Sequence, residues 1–187
     1  MNPTNMRAEV VRKFRIVGSA LNADIDECVV IAVESLSPYI KKSVTDTSLT
    51  ATSSTDSLTI PTAGADLEKI YVKGSSGLWQ KYDDYSKIGD VIYLRSWLDA
   101  STSIRLHLKV PYVIGDLANI PYPYKRPLIE LACAEFATML AGDKSRYNIY
   151  AQSNGARAVD NMLDLAGFYE EKARRALVLI GGGESLG

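Results

Sequence analysis

The spacing of apolar residues changes twice along this chain of 187 residues. Towards both ends they recur at three- and four-residue steps, the period of a helix with one inward face. Through the middle they alternate with polar residues, the period of a strand. Ile25, Val29, Ala32, Val33 and Leu36 mark one helical face, and Asp24-Ile25-Asp26-Glu27 ahead of them reads as a capping box. Pro38 should end that helix near Ser37. Arg7 to Val17 predicts a shorter helix with Val10, Val11, Phe14 and Val17 inward and Gly18 at its end. Another helix should open at Pro127, where a missing N–H costs nothing. It carries Leu128, Leu131, Ala132, Glu135, Phe136, Met139 and Leu140, and Gly142 stops it. After a polar break, Asn154 to Ile180 repeats the pattern through Val159, Met162, Leu163, Ala166, Tyr169, Ala173, Leu177 and Ile180. Two such stripes are buried most simply against each other, as a helical hairpin.

Between them the chain reads as β. Ile104, Leu106, Leu108 and Val110 should face inward while Arg105, His107 and Lys109 face out, an alternation that gives one buried and one wet face. Strands are also predicted at Leu67–Lys73, within Leu78–Tyr85 and at Val91–Leu94, separated by Gly-rich turns. The Ser/Thr-rich stretch from Ser43 to Ile60 is expected as a twisted hairpin arm turning near Ser53-Ser54-Thr55. The predicted fold class is α+β, a helical platform with an inserted antiparallel sheet or small sandwich. Residues 1–42 would supply an arm and a platform helix, 43–118 the β insertion, 119–180 the helical pair, and 181–187 a flexible tail.

Composition narrows the function. Hydrophobic residues at 47% and charged residues at 23% are ordinary globular values. A net charge of -1 argues against a protein built to neutralise phosphates, which would show a basic excess or a clustered basic stripe. The 11 tyrosines suit half-buried positions and contacts between subunits. No signal-peptide core and no membrane-length apolar run is found, which predicts a soluble chain made in the cytosol.

Candidate chemistry is sparse. The single histidine, His107, lies between Arg105 and Lys109 and would make a poor general base, so no catalytic residue is expected. Cys28 and Cys133 read as buried thiols, Asp24, Asp26 and Glu27 as a helix cap, and no metal or cofactor site is expected. Gly181-Gly182-Gly183 lacks the Lys and Ser or Thr of a phosphate loop and reads as a helix cap. Lys172, Arg174 and Arg175, behind Glu170 and Glu171, fit dipole compensation or contact with an acidic partner. Ala176 to Ile180 is apolar all round and should either fold into the core or dock on another subunit.

The order of parts resembles the head-to-tail connector (adaptor) proteins of tailed bacteriophages. A capped helix leads to a β insertion, and a hinge, Asn119-Ile120-Pro121, precedes the helix beginning Leu128-Ile129-Glu130-Leu131-Ala132-Cys133-Ala134-Glu135-Phe136. A long Glu/Lys/Arg-rich helix follows. The resemblance covers about residues 24–180, and the β insertion departs from the simplest, nearly all-helical adaptors. It implies a structural virion protein of the neck, made in the host cytoplasm. Such a protein forms a homo-oligomeric, dodecameric ring under the portal that meets a tail or nozzle protein. The ring would pass double-stranded DNA without specific binding and would not touch membrane. Portal contact would fall on Arg174, Arg175, Leu177, Leu179, Ile180 and Leu186. The alternatives are a tail terminator or head-completion protein, or a carbohydrate- or peptide-binding module using Trp79, Tyr82, Tyr85, Tyr93 and Trp97.

Overall fold

The computed structural model describes residues 2–51, 56–74, 76–95, 98 and 102–183. The fold is α+β, and the chain divides into a helical unit, residues 1–40 with 112–187, and a β unit, residues 41–111.

In the helical unit, α1 (Pro3–Phe14) begins where the Asn2 side chain accepts the Asn5 N–H at 2.8 Å and proline fills the first position. It ends earlier than its apolar pattern predicts, because Arg15 turns left-handed and leaves Val17 exposed. α2 (Asn22–Glu34) buries Ile25, Val29, Ala32 and Val33, and Leu36 beyond it, as expected. The capping box does not form: Leu21 holds the cap position, and Asp24 in the first turn pairs with Arg146 at 2.9 Å. An ion pair with a guanidinium competes for the same carboxylate lone pairs that a cap would use.

α3 (Tyr122–Gly142) stops at Gly142 as predicted but starts five residues before Pro127. Pro123 occupies the tolerated opening turn, so Pro127 lies inside the helix and the Pro123 carbonyl loses its partner there. The predicted polar break is a helix, α4 (Lys144–Asn154), opened by Asp143, whose carboxylate accepts the N–H groups of Ser145 and Arg146. Gly155, at φ +55°, closes it, and the last helix, α5 (Met162–Gly183), starts eight residues later than the apolar pattern predicts. The glycine run expected to cap α5 forms its final turn. Each glycine weakens a helix by about 1 kcal/mol relative to alanine without forbidding it. Leu186 and the rest of 184–187 lie outside the described residues.

α3 is the axis of this unit, packed by α1, α2, α4 and α5. Phe14 of α1 meets Phe136 of α3 edge to face at 4.9 Å, and Met6, Val10, Leu128, Leu140 and Leu177 share that core.

In the β unit, β1 (Lys41–Asp46), β2 (Thr50–Ala51), β3 (Ser57–Thr59), β4 (Asp66–Lys73), β5 (Trp79–Tyr82), β6 (Tyr85–Ile88), β7 (Val91–Leu94) and β8 (Thr102–Pro111) pair antiparallel throughout. One sheet has the order β1-β8-β4-β5, with β2 also on β8; the other has the order β3-β7-β6. Ile104, Leu106, Leu108 and Val110 point into the core with Ile70, Leu58 and Ile92, so β8 alternates as its sequence predicts. A bulge at Glu68 inserts one residue between the pairs Leu67↔Leu108 and Lys69↔His107. The predicted turn at Ser53-Ser54-Thr55 lies outside the described residues.

Candidate functional site

Among the described residues no group of three or more His, Cys, Asp or Glu side chains converges, and no helix is long and apolar enough to cross a membrane. His107 sits on the outward face of β8 with its ring 5.0 Å from that of Tyr71. Cys28 and Cys133 are free and buried, and burial pushes both thiols up to about 12, far from a reactive thiolate. The five aromatics of the carbohydrate-module alternative do not make one platform. Tyr82 and Tyr85 pack against the β core, Trp79 lies on the opposite face under Arg105, and Trp97 is outside the described residues.

The surface that calls for explanation is the outer side of α5. Its start is set locally, where the Asn161 side chain accepts the Asp164 N–H at 3.2 Å. Met162, Ala166, Ala173 and Leu177 then turn inward and Tyr169 and Ile180 are half-buried, which fixes the opposite side towards solvent. On that side Phe168 is 59% and Leu179 79% exposed. They are eleven residues apart, about three turns, so they fall in one line along the helix. Phe168, Glu171, Lys172 and Arg175 line a shallow depression of about 290 Å³.

The charges around this line are partly paired. Glu171 takes both Arg174 and Arg175, at 2.7 and 2.6 Å, and its carboxyl is held below the usual range chiefly by the hydrogen bond from Arg175. Glu170, expected to pair with Arg174, still acts on that guanidinium through its charge, and after burial it is the second cause that disfavours ionisation of Glu135 on α3. Lys172 leaves the predicted basic cluster. Its ammonium reaches inward to Glu130 at 2.9 Å, and Lys13 meets the same carboxylate at 2.7 Å. Dipole compensation is not the role of these cations, because α5 continues two turns past Arg175 and has no basic residue in its last turn.

The residues expected at a docking surface therefore separate. Arg174, Arg175 and Leu179 are exposed and Ile180 is half-buried against the core. Leu177, at 1% exposure, belongs to the core of its own chain and is corrected from contact to support. Its position on the helix decides this: Leu177 is four residues after Ala173, on the stripe that meets α3, whereas Leu179 is two residues further round. Phe168 was missed, although its exposure follows from the same periodicity once α5 is known to begin at Met162.

No protein-family model matches the chain, and no curated protein matches it. Among solved structures it is similar to a chain in the neck of an empty GTA particle computed with C6 symmetry. The identity is 13% over 87% of each chain, with a TM-score of 0.36. A likeness at that level carries no functional weight.

Proposed function

We propose that this chain is a structural subunit of a tailed-phage neck, a head-to-tail adaptor whose ring joins the portal to the tail and continues the DNA channel. It acts by docking, without catalysis or cofactor, and resides in the virion after synthesis in the host cytoplasm. One observation carries this reading. Phe168 and Leu179 are both exposed on one side of α5, beside Arg174 and Arg175, which share the single carboxylate of Glu171. Such exposure gives a monomer no benefit and gives an interface its dry centre. Portal contact is assigned to Arg174, Arg175 and Leu179 with Phe168, and the resemblance in the order of parts supplies the identity of the partner.

The test is capture of the purified chain by its portal protein, with mass measured in solution for the free and mixed components. The wild-type chain should join the portal and Leu179→Asp should not, while both melt alike. Equal capture of both proteins would refute the assignment, and capture by a tail-tube protein instead of the portal would favour a tail-terminator role.

A further inference from the structure

The register of the larger sheet puts together something the sequence keeps apart. Residues opposite one another in an antiparallel ladder point to the same face. Arg105, His107 and Lys109 of β8 therefore share a face with Lys69 and Tyr71 of β4, through the pairs Lys69↔His107 and Tyr71↔Arg105. The pairs Tyr71↔Lys81 and Lys73↔Trp79 extend that face over β5, and β1 brings Lys41 to it. The core lies on the other side, with Ile70, Leu106 and Leu108.

We infer that this open sheet face is a binding surface for the phosphate backbone of duplex nucleic acid. Three of its cations are balanced locally: Lys41 by Asp66, Lys81 by Asp83, and Lys109, at 3.8 Å, by Glu68. Among the described residues Lys69, Lys73 and Arg105 have no acidic partner, so positive charge is left over on one face of a chain whose net charge is -1. Arg105 is held in place. Its guanidinium stands 4.0 Å above the Trp79 ring, and its buried Nε has no hydrogen-bond partner. A guanidinium fixed on an aromatic ring, with no acidic partner among the described residues, suits an incoming phosphate oxygen.

The same geometry chooses among polyanions. With Arg105 over one face of Trp79 and the His107 ring packed beside Tyr71, the aromatic rings are already engaged and are not free platforms for unstacked bases. Contact is therefore with the backbone, independent of sequence. An acidic protein surface fits less well, because a specific protein interface needs an apolar centre and, among the described residues, none of the strongly exposed large hydrophobics lies on this face. Binding to phosphates needs no such centre, because it draws on counterion release.

The proposal concerns residues remote in sequence from Phe168 and Leu179 and does not rest on the adaptor reading. It is tested by fluorescence anisotropy of a labelled mixed-sequence duplex titrated with the full chain between about 50 and about 200 mM salt. Binding should be weak, on the order of 10⁻⁵ M, and steeply salt-dependent. The triple variant Lys69→Gln/Lys73→Gln/Arg105→Gln should weaken it at least tenfold and flatten the salt slope by about 2.7, at about 0.9 per lost phosphate contact. A matched variant, Arg126→Gln/Lys144→Gln/Arg157→Gln in the helical unit, removes equal charge and should change nothing. Equal loss in the two variants, tight binding of polyglutamate in place of the duplex, or no duplex binding at the lower salt would each overturn the inference. Portal capture by the triple variant should be intact, which separates failure here from failure of the adaptor reading.

Discussion

The ammonium of Lys172 lies 2.9 Å from Glu130 across the seam between α5 and α3, and so ties the exposed helix to a carboxylate only 3% exposed. Lys13 of α1 closes the group at 2.7 Å, joining three helices through one side chain. Burial raises the carboxyl's pKa, but the two lysines together outweigh it and hold the group below its ordinary value of 4.5. Removing the carboxylate leaves two partly exposed cations that can still reach water. Glu130→Gln should therefore cost about 2 kcal/mol, less than the roughly 3–5 kcal/mol of a fully buried broken pair.

The sign of the pH effect follows from that depression. Glu130 contributes its full stability above pH 4.5, and the contribution is lost as pH falls through the folded-state value. Thermal melts of wild type and Glu130→Gln should differ at pH 7 and converge in acid. A gap that persists unchanged into strong acid would exclude this origin.

Glu135, one turn further along α3, should behave in the opposite way. Burial and the facing Glu170 raise its pKa, so its ionised form costs stability once pH rises through the folded-state value. The nearby arginines are committed elsewhere, Arg146 to Asp24 and Asp143, and Arg174 to Glu171. Glu135→Gln should raise the melting temperature at pH 7 and lose that advantage below about pH 4.5. A lower melting temperature at pH 7 would mean that an arginine does serve Glu135.

Leu177 and Leu179, 1% and 79% exposed, should separate folding from the proposed docking. Leu177→Ala should cost about 2–4 kcal/mol through the cavity it leaves. Leu179→Ala should stay within about 0.5 kcal/mol and act only on portal capture. Chemical denaturation of both proteins measures the difference, and it sets a limit on truncation: a chain cut before Leu177 loses core, not only its joint.

Both cysteines should resist an aromatic disulfide reagent in the native protein and react together on unfolding. Their thiols are buried and raised to about 12, so thiolate is scarce at neutral pH. Fast reaction of either one in the folded chain would show that the helical core opens.

What the sequence made readable was periodicity. The inward residues of α2 and β8 and the stop of α3 at Gly142 follow from local spacing alone. α4 was hidden because its opening, Lys144-Ser145-Arg146, is polar and only Tyr150 is buried, so it makes no stripe. The start of α5 was misplaced because Val159 happens to fall in phase with residues beyond the break. Glu130 gave no signal in sequence, since neither lysine that answers it is near it in the chain. The basic sheet face was illegible for the same reason: Lys69, Lys81 and Arg105 become neighbours only through strand pairing. On α5, Leu179 and the two arginines expected at a docking surface are exposed, while the burial of Leu177 became visible only in the packed helix.

The pair Lys41↔Pro111 is the first rung of the β1–β8 ladder, and these two residues are also where the β unit begins and ends. Seen from the helices, the seventy-odd residues of the β unit amount to a loop already cinched at its neck. Lengthening such a loop adds little closure entropy, roughly 0.6 kcal/mol for each doubling. A shorter or longer cassette can replace it without changing what the helices must find in order to fold, and ancestry could then be traced in the scaffold while the cargo was exchanged.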